Sequence, residues 1–502
     1  MSLQDKVHIR QLPTGVPGLD EILGGGLPEF SFNIIAGAPG GGKTTLAHQI
    51  MFANSTPERP ALYFTVLGEP AIKMLRYQQQ FRFFDEAKLN AAVRFINLSQ
   101  LVLEKDLSAV LAEIVREVEA VNAGIIVVDS FRTVVRKAQG GTSDLELQAF
   151  IQRLALHLAS WQATTFLIGE YGEGEIRDNP VFTVADGLFW LSQQVERNSV
   201  VRKMQIVKLR GQAAVPGLHT FRITDAGIQT FPRTFGFTTK GPVIKGPRLL
   251  SMGIPELDAL LGGGVPEGDS LLVAGPSGAG KSVLGTQFIA EGLRHGEPGI
   301  VAVFEELPEQ YAARSASFGL DLVTPQKEGK LEIIYLRPLD LSVDETVHEV
   351  MDAVRKIGAK RLVIDSLVGF EMALAPGFRA DFRESLYRMI AALTRIGVTV
   401  LSTVEVEEDF VSMRLSNYAI SFLSDGILRL RYVSINGQLR RMLIIVKMRR
   451  GQHSIDMHEY TITPKGVVVG APLRGFRGLT TGIPAPWDVI SGEKSPGDAE
   501  SE

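Results

Sequence analysis

The 502-residue sequence predicts an α/β protein of two tandem domains, each a mainly parallel twisted sheet with helices on both faces. Three observations carry that expectation. The loop Gly37-Ala38-Pro39-Gly40-Gly41-Gly42-Lys43-Thr44 is written again as Gly275-Pro276-Ser277-Gly278-Ala279-Gly280-Lys281-Ser282. The flanking sequence repeats with it. Gly15-Val16-Pro17-Gly18-Leu19-Asp20 recurs as Gly253-Ile254-Pro255-Glu256-Leu257-Asp258, and Leu23-Gly24-Gly25-Gly26-Leu27-Pro28-Glu29 as Leu261-Gly262-Gly263-Gly264-Val265-Pro266-Glu267. Within each copy, short β-branched apolar runs alternate with segments of helical period, as in a parallel sheet buried on both sides.

Taken in order, Asn33-Ile34-Ile35-Ala36 and Leu271-Leu272-Val273-Ala274 read as the strands that enter the repeated loop. Leu46/Ile50 and Leu284/Phe288, at i,i+4 spacing, read as the helices that leave it. Leu107, Val110, Leu111, Ile114, Val115 and Val118 form a helical stripe before a strand over 124–128; Val347, Val350, Met351 and Val354 do so before Arg361-Leu362-Val363-Ile364. Thr164-Thr165-Phe166-Leu167-Ile168 and Val398-Thr399-Val400-Leu401 follow as the next strands. Val127-Val128-Asp129-Ser130 answers Val363-Ile364-Asp365-Ser366, and Val207-Lys208-Leu209-Arg210 answers Val446-Lys447-Met448-Arg449. A nearly constant spacing across a whole half means that an entire domain was duplicated. The expected boundaries are a first domain over 1–233, a linker over 234–250 rich in Gly, Pro, Thr and Lys, a second domain over 251–475, and a partly disordered tail over 476–502. In the tail, Leu479-Thr480-Thr481-Gly482-Ile483-Pro484 resembles the start of each repeat. It reads either as a chance turn or as a truncated third repeat packed on the second domain.

Composition narrows the function. A formal charge of −4 gives no electrostatic case for nucleic acid as the main partner. With no cysteine there are no disulfides, thiolate metal sites or cysteine nucleophiles. The start, Met1-Ser2-Leu3-Gln4-Asp5-Lys6, lacks an apolar leader segment, and no apolar run approaches the ~18 residues that span a bilayer. A cytoplasmic protein without a membrane partner is expected.

Both copies of the loop fit G-x-x-x-x-G-K-[ST] between a strand and a helix, the context in which backbone N–H groups cradle nucleotide phosphates. The helix N-terminus adds partial positive charge, the lysine a point charge, and the hydroxyl residue a ligand for Mg²⁺. The expected ATP-binding residues are Gly40, Gly41, Gly42, Lys43, Thr44 and Thr45, and Gly278, Ala279, Gly280, Lys281, Ser282 and Val283. Asp129 and Asp365 end apolar strands where a carboxylate can hold Mg²⁺ with Thr44 and Ser282; each could instead cap the following helix. Hydrolysis needs a carboxylate for the attacking water. Glu305 and Glu306 end an apolar strand as a pair. Aligning Pro70 with Pro308 puts Leu67-Gly68 opposite them and leaves Glu69 displaced by one residue. Either the strand end bulges to bring Glu69 into place, or the first site turns nucleotide over slowly, or Glu69 simply faces solvent. Lys208 with Arg210 and Lys447 with Arg449 lie late in each domain and alternate on a strand, so each pair, two apart, shares a face. Their recurrence points to a phosphate, on a neighbouring subunit if not their own, although a solvated edge would also explain them.

Together these segments resemble the KaiC family of double-domain RecA-like ATPases over about residues 10–470. The resemblance rests on the paired openings, the two P-loops, Val127-Val128-Asp129-Ser130 with its counterpart, Phe304-Glu305-Glu306, and the Lys-x-Arg pairs. It implies a two-tiered homohexamer with ATP between adjacent subunits, to which Lys208, Leu209 and Arg210, or Lys447, Met448 and Arg449, come from the neighbour. It implies that His453 contacts nucleotide in the second domain, where the first has Ala214, and that Glu305 and Glu306 are catalytic. Clock members also autophosphorylate adjacent Ser and Thr residues. Here Ser421 matches the serine, Ser416 a nearby hydroxyl residue, and Phe422 replaces the threonine, so a two-site phosphorylation cycle is not expected and a serine autokinase at Ser421 stays open. A KaiB-like partner on the first ring also stays open. A nucleic-acid-dependent ATPase and a largely non-catalytic, nucleotide-cemented assembly are the alternatives.

Overall fold

The computed structural model describes residues 9–66, 71–104, 107–134, 149–154, 156–157, 162–176, 181–196, 199–233, 248–336, 342–374, 382–406, 424–479 and 485–486. The chain divides into two compact units, Met1–Thr234 and Phe235–Glu502. Each carries one sheet of nine described strands.

In the first unit these are β1 (Phe32–Gly37), β2 (Ala61–Thr65), β3 (Val93–Asn97), β4 (Ile125–Asp129), β5 (Thr164–Glu170), β6 (Gly187–Glu196), β7 (Ser199–Leu209), β8 (Leu218–Thr224) and β9 (Gly227–Phe231). Their order is β9-β8-β7-β6-β1-β5-β4-β2-β3. The six strands from β6 to β3 run parallel, and β7, β8 and β9 extend the sheet antiparallel. The second unit supplies β10 (Ser270–Gly275), β11 (Gly299–Val303), β12 (Leu331–Tyr335), β13 (Arg361–Asp365), β14 (Thr399–Glu405), β15 (Gly426–Ile435), β16 (Gln438–Met448), β17 (His458–Thr463) and β18 (Gly466–Pro472). Its order, β18-β17-β16-β15-β10-β14-β13-β11-β12, repeats the first position for position. A doubly covered, mainly parallel sheet is thus present twice.

The period-2 alternation of strands sends neighbouring residues to opposite faces. Ile35, Tyr63, Val127 and Phe166 pack with Leu46, Ala47 and Ile50 of the helix Lys43–Asn54. Ile34, Leu62, Val128 and Leu167 pack on the other face with Val110, Ile114 and Val118 of the helix Leu107–Val121. In the second unit, Val273, Val301, Val363 and Leu401 meet Leu284 and Phe288 of the helix Lys281–Arg294. Each such fully buried aliphatic side chain contributes roughly 1.5–3 kcal/mol. The helix is also pinned to the last strand: Gln49 accepts from Ile228 N–H at 2.7 Å, and Gln287 from Val467 N–H at 2.9 Å.

Three local differences from the sequence reading emerge. Leu249-Leu250, read as linker, pair with Val265-Pro266, as Gln11-Leu12 pair with Leu27-Pro28. Phe476-Arg477 pair with Ala485-Pro486, and Leu479 is buried beside Val433, Ile435 and Met442, so this part of the tail packs on the second unit. The strands carrying the Lys-x-Arg pairs end at Leu209 and Met448, one residue short of each arginine. Among the described residues, no helix is long and apolar enough to cross a membrane.

Candidate functional site

Both loops leave the C-terminal end of the sheet's central strand, β1 or β10, and open a helix at the lysine. The residue before each lysine must be glycine for two reasons. Gly42 and Gly280 have φ of 89° and 90°, a region that side chains disfavour. A Cβ there would also stand 2.8 Å from Ile223 Cδ1 on β8, or 2.7 Å from Ile462 Cδ1 on β17. The antiparallel extension therefore backs the loop, and the Tyr460 hydroxyl donates to the Ala279 carbonyl at 2.5 Å.

Lys43 donates to the Ala38 carbonyl at 2.8 Å; Lys281 donates to those of Gly275 and Pro276 at 2.9 and 2.8 Å. Burial lowers the pKa of both ammonium groups, against Glu170 and Asp129 in the first unit and Glu405, Asp365 and Glu305 in the second. Each lysine is thus a buried cation at a carboxylate-lined strand end, placed to meet the negative charge of a polyphosphate.

Asp129 accepts from Thr44 Oγ1 at 2.8 Å and from the Tyr63 hydroxyl at 2.6 Å. Burial raises the Asp129 pKa, and the two hydroxyls and Lys43 oppose that. Asp365 accepts from Thr403 Oγ1 at 2.6 Å. The helix-capping alternative for the aspartates does not hold in the second unit: the following residue, Ser366, caps by accepting from Gly369 N–H at 3.1 Å, leaving Asp365 for other partners. In the first unit, Ser130 Oγ likewise accepts from Thr133 N–H, at 3.4 Å.

The two glutamates behind the second loop diverge. Glu305 is exposed, accepts from Ser366 Oγ at 3.0 Å and acts electrostatically on Lys281. Glu306 turns to Arg314, which donates to it at 2.5 and 3.4 Å and stacks over Tyr311. Adjacent carboxylates repel each other, and that arginine offsets the repulsion. Glu69, with Leu67 and Gly68, lies outside the described residues, as do Ser416, Ser421 and Phe422.

Lys208, Leu209 and Arg210 lie away from their own loop. Leu209 pairs with Gly187, and Gly187 with Asn33, four residues before Gly37. That puts the triad roughly 13 Å along the strands from the loop, toward the opposite end of the sheet. Met448 is placed in the same way through Gly426 and Leu271. Lys208 donates to the Thr183 carbonyl at 3.0 Å and Lys447 to that of Ser424 at 2.7 Å; Arg210 and Arg449 pair with Asp186 and Asp425 at 3.2 and 3.5 Å. Burial, then the adjacent arginine, lowers both lysines. His453 is partly buried, with Nδ1 at 2.9 Å from the Ser454 carbonyl.

Sequence reading missed Tyr63, Thr403, Ser366 and Arg314. It also missed Arg132, which lines the first loop's cavity. Placing Asp129-Ser130-Phe131-Arg132 over Asp365-Ser366-Leu367-Val368 would have exposed that last difference.

A doubled P-loop on two sheets of one topology defines a tandem ATPase-type, nucleotide-binding protein. A family model described as "ATPase: KaiC" matches residues 12–234 and 250–474, and the chain belongs to that family. Among its relatives, the circadian clock oscillator protein KaiC of Picosynechococcus sp. is 27% identical over 488 residues, covering 95% of this chain and 92% of the relative. That of Thermostichus vulcanus is 26% identical over 494 residues, covering 96% and 93%.

Proposed function

We propose that the protein is a cytoplasmic, Mg-ATP-hydrolysing homohexamer that acts as a slow switch or signalling scaffold, with hydrolysis centred on the second loop. The observation that carries this reading is Glu305, at the end of a core strand beside Lys281 and held by Ser366. A carboxylate there can orient and deprotonate the water that attacks a bound γ-phosphate. Glu306, tied to Arg314, supports the strand end rather than the water.

Thr44 with Asp129, and Ser282 with Asp365, are the groups we assign to Mg²⁺. The 2.8 Å hydroxyl–carboxylate pair in the first unit suits such a hard cation. No cluster of three or more His, Cys, Asp or Glu among the described residues could hold a metal alone, so phosphate oxygens would complete the shell. When bound, the ion would neutralise phosphate charge. Placement of the Lys-x-Arg triads far from their own loops supports nucleotide sites between subunits, where Arg210 or Arg449 would meet a neighbour's phosphates. A KaiB-like partner rests on family membership alone.

Intact-mass spectrometry of the purified chain with and without Mg-ATP tests the reading. A nucleotide-dependent hexamer carrying nucleotide in both rings is expected, and a monomer that binds none would contradict it. The same spectra reveal any added phosphate: a phosphopeptide containing Ser421 would establish a serine autokinase alongside the ATPase.

A further inference from the structure

The first unit's loop opens onto a cavity of about 390 Å³ lined by Gly40, Lys43, Thr44 and Asp129 and also by a second cation, Arg132. The residue at the matching place in the second half is Val368. Arg132 is held in place. Both of its terminal nitrogens donate to Glu175, at 2.9 and 2.8 Å, and one also donates to the Glu170 carbonyl. Its guanidinium lies over the Tyr171 ring, 5.1 Å from the centroid, and its side chain is 21% exposed. An arginine fixed in this way loses little freedom on meeting a ligand.

A guanidinium fork fits a carboxylate and a phosphate equally well, each through two parallel N–H donors. Glu175 therefore holds Arg132 by the geometry that a terminal phosphate entering the cavity would use. A diphosphate ends one phosphate short and offers less to compete with. Resting on the nucleotide-site reading above, we propose that Arg132 is a γ-phosphate ligand of the first site, giving up part of its pairing with Glu175 and making that site prefer triphosphate to diphosphate. Because Glu175 lies on the turn Glu173–Ile176, the exchange would also report the nucleotide state to that segment.

The test uses the full-length chain with Lys281→Ala, which silences the second loop, titrated calorimetrically with Mg²⁺ and either the β,γ-imido analogue of ATP or ADP. Arg132→Gln should weaken the analogue about tenfold and ADP less than about twofold, the difference expected for one charge-assisted contact. Arg132→Lys should recover part of the loss, and Glu175→Gln should strengthen the analogue while leaving ADP unchanged. If Arg132→Gln and Arg132→Lys shift both nucleotides alike, or neither, Arg132 is only a structural partner of Glu175 and the inference is wrong. Lys43→Ala in the same background must abolish binding of both nucleotides. If it does not, the nucleotide-site reading itself has failed, and Arg132 is not the cause.

Discussion

Asp129 and Asp365 end corresponding strands of the two sheets, yet each takes its nearest hydroxyl from the opposite neighbour. In the first unit the donor is Tyr63, on β2, whose place in β11 is taken by Val301. In the second unit it is Thr403, on β14, whose place in β5 is taken by Ile168, the residue in register with Asp129. A carboxylate drawn wholly or partly from water needs a donor, and either flanking strand can provide one. The duplicated halves share the requirement but not the residue that meets it. The same holds further out, where the second unit sets Glu305 beside the lysine and the first sets Arg132 in the loop cavity. Two matching loops are thus surrounded by different chemistry.

The largest effect should come from the carboxylate. Glu305→Gln should lower steady-state ATP turnover roughly a hundredfold or more, with ATP affinity retained. Glu306→Gln should cost less, because Glu306 is engaged by Arg314. Equal losses from the two would erase the distinction between them.

Next come the exchanged hydroxyls. Tyr63→Phe should destabilise its unit by about 1–3 kcal/mol in chemical denaturation, the cost of a buried acceptor left short of a donor, and Thr403→Val should cost its unit less, because Asp365 is only partly buried. Adding Ile168→Thr to Tyr63→Phe rebuilds the second unit's arrangement in the first and should restore part of the loss. No recovery would mean that the two arrangements are not interchangeable.

A pH-dependent effect, small at mildly acidic pH, belongs to His48, which is buried 4.5 Å from the Tyr63 ring and whose counterpart is Thr286. Burial pushes the His48 pKa down to about 3 from 6.5, with the Gln78 side chain opposing. A depressed histidine adds stability above its unfolded value and loses it as the pH falls through the interval between the two. Relative to His48→Gln, the parent chain should lose roughly 1.4 kcal/mol per pH unit on acidification below about 6.5. Denaturation midpoints of the two chains measured at neutral and mildly acidic pH check this; parallel curves would rule it out.

Sequence alone reached most of the fold because its signals were local and repeated. The loop at Lys43, the apolar run ending at Asp129 and the stripe from Leu107 to Val118 each identify an element without knowledge of the others. Repetition then set the domain plan. The tyrosine on Asp129 was hidden because it comes from a strand more than sixty residues earlier, and a buried tyrosine in an apolar run reads as core. Arg314 and Arg132 were hidden because an arginine on a helix reads as surface until its partner is seen: for Arg314, Glu306 eight residues earlier, and for Arg132, Glu175 forty-three residues later. The Lys-x-Arg pairs stand out in the sequence as candidate phosphate ligands, but only strand register shows that they sit away from their own loops.

The claim that the two loops bind the same ligand for different ends is tested most directly by measuring ATP hydrolysis in full-length chains carrying Lys43→Ala or Lys281→Ala. Lys281→Ala should remove most of the turnover, while Lys43→Ala should keep most of it and lose the nucleotide held by the first unit. Turnover that survives Lys281→Ala and disappears with Lys43→Ala would contradict it.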